Sequence, residues 1–236
     1  MSVPAASDQT IKPIYLVPYP KVIFMYPTFL ASIVAGIFML VARNEPTPQT
    51  NTVSAIFLII FGLNIVVFSF DFPRTTSLTL FFVIAAIALG LWVFFIFNES
   101  LLPPVTNFLR SLSPFANSTF FFMVATILFV VYLAVFMNIR FDYWEVRPNE
   151  LLHHHGVLSN LERFAAPNLR IDKEINDVFE YFLLRTGRLI LHPSNERRAI
   201  VLENVPFINR KEAEITRMLG SLQVRIGKEL PGDEHE

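Results

Sequence analysis

The chain has 236 residues, of which 53% are hydrophobic, with 19 basic and 20 acidic side chains and a formal net charge of −1. The balanced charge argues against nucleic acid as a partner, and the lack of cysteine excludes disulfides and cysteine-ligated metal sites. Only five basic and four acidic side chains fall in residues 1–139, and all the others fall in residues 140–236. Because a water-soluble domain needs a polar surface, the first part is predicted to face lipid and the second water.

Four uncharged apolar stretches predict a bundle of four transmembrane helices within residues 22–139. They are residues 22–42, 53–70, 78–97 and 120–139. About 20 helical residues suffice to cross a hydrocarbon core about 30 Å thick. Residues 1–21 are predicted to form an N-terminal segment that precedes the first helix.

The distribution of basic residues around these helices predicts their orientation. With four spans both termini lie on the same side of the membrane, and that side carries more basic flanking residues than the other. The basic residues on the side of the termini are Lys12, Lys21, Arg74, Arg140 and Arg147. Those on the opposite side are Arg43 and Arg110. The positive-inside rule therefore predicts that the N-terminus and the C-terminal part are cytoplasmic.

Two features of the membrane part bear on its function. After Pro103-Pro104, the apolar residues Val105, Phe108 and Leu112 have helical spacing. They predict either a short helix on the outer membrane surface or an apolar loop packed on the helix ends.

Asn64 is the only strongly polar side chain well inside a span, and an isolated membrane asparagine usually bonds a neighbouring helix rather than a substrate. The spans are therefore predicted to anchor and pack.

Residues 140–227 predict a small α+β domain, followed by a flexible tail at 228–236. The predicted strands are 143–147, 150–155, 157–164, 188–192 and 198–203, and the predicted helices are 175–184 and 210–222. The last helix is amphipathic, with apolar residues on one face, so we expect it to close an open end or face of the sheet.

The residues Tyr143-Trp144-Glu145-Val146, then Asn149 to Ser159, then Arg170-Ile171 resemble the opening of the bacterial pleckstrin-homology-like domains of small membrane proteins. Gly187–Leu191 and Ile200–Val205 are similar to the late strands of that family. The resemblance covers roughly residues 141–222 and departs from the family's pattern at the helix-like residues 175–184. It implies a protein-interaction or lipid-facing module in a bacterial cytoplasmic (inner) membrane, and it does not imply catalysis.

Three consecutive histidines, His153-His154-His155, lie on a predicted strand. Alternate strand residues point to opposite faces, so His153 and His155 share a face, and His192 from another strand completes a metal-ligand set if the register allows. The favoured interpretation is a polar strand face, and neither a metal nor another cofactor is predicted.

Four arginines, Arg185, Arg188, Arg197 and Arg198, flank the turns of the predicted hairpin over residues 188–203. If they cluster, they are candidates for contact with anionic lipid headgroups or an acidic partner. Neighbouring glutamates favour a salt-bridged surface instead.

An acidic group, Asp172, Glu174 and Asp177, is predicted at a loop-to-helix junction. Carboxylates at this position stabilise a helix N-terminus through the helix dipole.

No nucleotide-binding, metalloprotease or nucleophile-elbow motif is present in the sequence. We therefore expect a non-enzymatic, membrane-anchored scaffold that contacts membrane lipids and binds a protein partner or its own copies through the cytoplasmic domain. The alternative is a membrane transport or lipid-handling protein with that domain as its regulator, which requires a polar cavity near Asn64.

Overall fold

The structure is a computed structural model that describes residues 12–98, 102–156, 160–166, 169–194 and 196–229. The chain forms two compact units. The helical unit comprises residues 20–135 and 176–183, and the sheet unit comprises the remaining described residues. The tail predicted at 228–236 lies mostly outside the described residues.

In the described part of the chain, four helices of 21–24 residues are long and apolar enough to cross a membrane, as predicted. The helices of this region are α1 (Tyr26–Val41), α2 (Pro48–Ser69), α3 (Arg74–Phe97), α4 (Leu102–Ser111) and α5 (Ser118–Phe141). A 3₁₀-helix (Lys21–Met25) leads directly into α1. The short helix α4 occupies the loop where apolar spacing predicts a helix.

A capping box starts α2 five residues before the predicted Val53. The Thr47 hydroxyl accepts a hydrogen bond from the Thr50 N–H at 3.3 Å, and the Thr50 hydroxyl accepts one from the Thr47 N–H at 2.7 Å. These bonds satisfy two backbone donors that the first turn of a helix leaves unpaired. Because the first turn is polar, hydropathy alone does not locate it.

Aromatic packing joins α1, α2 and α5 in the helical unit. Ala35, Met39, Phe57 and Phe121 form a buried cluster, in which the rings of Phe57 and Phe121 meet edge to face with centroids 5.0 Å apart. By contrast, none of the described side chains of α3 is buried.

Two antiparallel sheets and a helix make up the sheet unit. The four-stranded sheet has the order β1 (Ile14–Leu16), β2 (Tyr143–Val146), β3 (Glu150–His155) and β4 (Asn160–Ala165). The three-stranded sheet has the order β5 (Arg170–Glu174), β6 (Gly187–His192) and β7 (Ile200–Val205). Helix α6 (Val178–Leu184) lies between β5 and β6 in sequence, and helix α7 (Ile208–Glu229) follows β7. This agrees with the predicted small α+β domain that ends in a helix.

The core of the sheet unit draws on both sheets and on α7. Leu16, Val146, Leu151 and Leu191 are fully buried strand residues, and α7 contributes the fully buried Ile215. The apolar face of α7 therefore closes the domain to which it belongs.

Strand β1 is not predicted by the sequence. Its residue Leu16 pairs with Trp144 of β2, so the segment before the first apolar helix belongs to the same sheet as the chain after the last one. Strand β5 is also unexpected, and it holds Asp172 and Glu174, which are therefore not at a helix terminus. Of the three acidic residues, only Asp177 lies at the start of a helix.

Candidate functional sites

The four candidate arginines do not form one cluster. Arg185 and Arg188 lie near the start of β6, whereas Arg197 and Arg198 lie in the turn between β6 and β7. From Arg188 to His192 the strand extends by roughly 13 Å, at about 3.3 Å per residue. The hairpin therefore presents two separate basic pairs, one near each end.

Arg188 also differs from the other three arginines in its electrostatic partners. Arg188 Nη2 donates to Glu203 Oε1 at 2.8 Å, and Arg188 Nη1 lies 3.8 Å from Glu174 Oε2. Within the described residues, Arg185, Arg197 and Arg198 are exposed and have no ion pair. Arg188 thus belongs to a salt-bridged surface, and the other three are available to an acidic partner or a lipid headgroup.

Asn64 bonds within the helical unit. Its side-chain amide donates to the Phe24 carbonyl at 3.0 Å, in a contact that is buried. Phe24 lies at the end of the 3₁₀-helix, where the backbone changes to α-helical geometry. A recess of about 520 Å³ at the N-terminal ends of α2 and α5, which Asn64 does not line, is lined mainly by apolar side chains such as Phe57 and Phe115. Asn64 therefore acts as an interhelical bond, and this apolar recess is not the polar cavity that the transport alternative requires.

Asp177 caps α6. Its Oδ1 accepts hydrogen bonds from the N–H groups of Phe179 and Glu180 at 2.7 and 3.0 Å, and its Oδ2 accepts one from the Phe72 N–H at 2.7 Å. The first two bonds satisfy donors at the helix N-terminus, and the third fastens the loop between α2 and α3.

Lys21 occupies the centre of an acidic group next to this cap. Its ammonium donates a short hydrogen bond to Asp71 and lies 3.6 Å from Glu180 Oε1. Burial raises the pKa of the Glu180 carboxyl, although the positive charge of Lys21 partly opposes that effect. Carboxylate oxygens of Asp71, Asp177 and Glu180 lie within 4.8 Å of one another. Because Lys21 contacts Asp71 and Glu180, and Asp177 is already bonded to the backbone, the group is a structural ion cluster.

The three histidines of β3 alternate between the faces of the sheet, as predicted. His154 stacks on Tyr143 with ring centroids 4.5 Å apart, and its Nε2 lies 3.2 Å from the buried carboxylate of Glu145. Glu145 also accepts a 2.8 Å hydrogen bond from Arg147. His154 is therefore engaged with side chains of β2.

His153 lies on the other face and stacks on Trp144, with centroids 4.0 Å apart and planes inclined by 5°. Its Nε2 is 3.0 Å from Asp142 Oδ1, and its Nδ1 is 3.6 Å from Glu162 Oε2. His155 is on the same face, and its ring centroid is 4.9 Å from that of His153.

The ligand set suggested by the sequence needs one correction. His192 pairs with Asp172 at 3.2 Å in the three-stranded sheet, whereas His153 and His155 are joined by Glu162. The feature that identifies Glu162 is the register of the β3–β4 hairpin, which places Glu162 directly opposite His153. Sequence reasoning also missed Asp142, the residue after α5, which holds His153.

Comparisons with protein-family models, with curated proteins and with solved structures give no match to this chain.

Proposed function

We propose that the protein is a non-enzymatic, membrane-anchored scaffold, whose sheet unit binds a protein partner or another copy of the chain at the cytoplasmic face of a bacterial inner membrane. The observation that carries the proposal is the pairing of β1 with β2. It joins the segment before the first apolar helix to the segment after the last one, so the sheet unit is attached to the helices at both ends. Tethering the sheet unit to the membrane raises its effective concentration toward a partner that is held at the same membrane.

The sheet unit is proposed to be a pleckstrin-homology-like domain. A four-stranded antiparallel sheet, a three-stranded antiparallel sheet and a C-terminal helix support this interpretation, since the resemblance implies strands followed by a closing helix. The residues where the sequence departs from the family include α6, whose residues up to Leu183 belong to the helical unit. Relative to the pattern of the proposed family, α6 is thus an insertion between β5 and β6.

The proposed orientation places the sheet unit in the cytoplasm. The β1–β2 pairing supports an even number of spans, because both strands belong to one sheet. The larger number of basic residues flanking the helices on that side supports the cytoplasmic assignment.

Strand β4 is the proposed contact surface. The apolar face of α7 is not the surface proposed for a partner, because its residues Ile215 and Met218 are buried in the domain itself. Among the described residues β4 pairs only with β3, and its residues 160–163 are exposed. A free strand edge accepts a further strand through backbone hydrogen bonds.

A photo-crosslinking amino acid placed at Arg163 of the full chain, in native membranes, tests the proposal. The control position is Arg210, which is also an exposed arginine but lies on α7. We expect one crosslinked species from Arg163 and none from Arg210, and the mass of that species distinguishes a second copy from another protein. A crosslink pattern that is identical at the two positions, or no product at either, would contradict β4 as the contact.

A further inference from the structure

Two histidines and a glutamate converge on the hairpin formed by β3 and β4. His153 and His155 are two residues apart on β3 and so share one face, and the antiparallel register sets Glu162 of β4 opposite His153. One potential ligand atom from each of the three residues lies within 4.8 Å of the other two.

We propose that His153, His155 and Glu162 bind a divalent transition-metal ion, with Zn²⁺ as the best match. Two imidazoles and one carboxylate form a donor set that Zn²⁺ accepts, and three protein ligands leave a fourth position open for water or a ligand. Ca²⁺ and Mg²⁺ prefer all-oxygen sites, so the two imidazoles disfavour these ions.

The distance between two of the donors already matches such a site. His153 Nδ1 and Glu162 Oε2 are 3.6 Å apart. Tetrahedral zinc with bonds of about 2.0–2.1 Å sets neighbouring ligand atoms roughly 3.3 Å apart. A small side-chain rotation therefore brings both atoms into the coordination sphere.

Asp142 orients His153 for this role. A carboxylate accepts hydrogen bonds but does not donate them, so in the neutral imidazole the 3.0 Å contact with Asp142 favours the tautomer with its proton on Nε2. That tautomer leaves Nδ1, the nitrogen nearer to Glu162 Oε2, as the atom that can bind a metal. Stacking on Trp144 fixes the plane of the ring. Histidine ligands usually have such a carboxylate partner on their second nitrogen.

His155 supplies the independent observation. Its Nδ1 is buried and has no hydrogen-bond partner among the described residues. A buried polar atom without a partner is costly, and such atoms are rare in native proteins. A metal ion bound at Nδ1 would remove this cost.

The test uses the full chain in detergent, purified with a tag that contains no histidine and stripped of metal by a chelator. Calorimetric titration with zinc chloride measures stoichiometry and affinity, and we expect one Zn²⁺ per chain. His155→Ala and Glu162→Gln remove ligands, whereas Asp142→Ala removes the orienting partner and should weaken binding roughly 10–100-fold. Loss of a ligand should weaken it at least as much.

His154→Ala and His192→Ala are the matched controls, because His154 lies on the opposite face and His192 lies in the other sheet. Both should bind Zn²⁺ like the wild type. If either control weakens binding as much as His155→Ala, binding is a general property of surface histidines and the proposed site is wrong.

A spectroscopic measurement on the chain with its native ligand residues tests the site even if the ligand variants fail to fold. Co²⁺ substituted for Zn²⁺ should produce the visible absorption of a four-coordinate ion. In a Trp92→Phe background, Trp144 is the remaining tryptophan, and bound Co²⁺ should quench its fluorescence. Absorption typical of six-coordinate Co²⁺, together with unquenched fluorescence, would overturn the proposal.

Discussion

The backbone N–H of Phe72 donates a 2.7 Å hydrogen bond to the carboxylate of Asp177, which is 105 residues further along the chain. The Phe72 carbonyl in turn accepts a 3.2 Å bond from the N–H of Val178, and the ring of Phe72 meets that of Phe179 edge to face at 5.1 Å. One backbone–side-chain bond, one backbone–backbone bond and an aromatic contact therefore hold the start of α6 against the loop between α2 and α3.

Asp177→Ala should destabilise this contact. The substitution removes the cap of α6 and leaves the buried Phe72 N–H without its partner, which together should cost about 1.5–5 kcal/mol. Hydrogen–deuterium exchange in detergent should show faster exchange of the backbone amides of residues 178–184. Glu174→Gln, on the exposed part of β5, removes a nearby carboxylate without touching the cap and should leave those rates unchanged. Equal protection in wild type and Asp177→Ala would contradict the capping role.

Glu180→Gln should change the pH dependence of stability. Burial raises the pKa of the folded Glu180 carboxyl above its ordinary value of 4.5, so the folded state holds this proton more tightly than the unfolded state. The resulting stabilisation is complete below the unfolded pKa and is lost as pH rises through the folded pKa. We therefore expect the melting temperature of Glu180→Gln, relative to wild type, to increase as pH rises from about 4.5 to 7.

The control for Glu180→Gln is Glu203→Gln, which removes a negative charge from an exposed side chain. Thermal melts of the full chain in detergent, at several pH values, provide the comparison. A constant difference between Glu180→Gln and wild type over that range would contradict the raised pKa.

Asn64→Leu should weaken the helical unit without abolishing its assembly. Interhelical hydrogen bonds in membrane proteins contribute about 0.6 kcal/mol on average, and up to about 1.7 kcal/mol. Because the bond to Phe24 is buried, we expect a loss near 1 kcal/mol, measured as reduced thermal stability in detergent. Thr79→Leu replaces an exposed polar residue of α3 and should have little effect. Comparable melting of the two variants would show that the Asn64 bond contributes nothing measurable.

The membrane helices are largely predictable from the sequence because hydropathy is a local property summed over about 20 residues. The ends of the helices are less predictable. The polar first turn of α2, fastened by Thr47 and Thr50, has low hydropathy although it is helical. Capping bonds from backbone N–H groups to individual side chains determine such ends, and hydropathy averaged over a window of residues does not detect them.

Contacts between distant segments account for the missed elements of the sheet unit. Ile14–Leu16 is too short to predict as a strand, and its partner β2 lies on the far side of the apolar helices in sequence. The candidate metal site also depends on contacts between distant segments, so the sequence predicts it only in part. Strand alternation predicts that His153 and His155 share a face, but choosing between Glu162 and His192 requires the strand pairing and sheet assignment.

The role of β1 leads to a prediction about the isolated sheet unit. Leu16 is fully buried, so a fragment of residues 140–236 lacks part of its core and exposes the edge of β2. Removing a buried leucine side chain alone costs about 2–5 kcal/mol. We expect this fragment to unfold at a lower temperature than one in which residues 12–19 are fused to it through a flexible Gly/Ser linker, as measured by circular dichroism.

Two substitutions in the fused fragment separate the packing of β1 from the mere presence of extra residues. Leu16→Asp places a charge in the core and should return the melting temperature to that of the fragment without β1. Tyr15→Ser changes the neighbouring side chain, which is 48% exposed, and should preserve most of the stabilisation. If the fused and unfused fragments melt at the same temperature, β1 does not stabilise the sheet unit, and the two-ended attachment underlying the scaffold proposal loses its energetic basis.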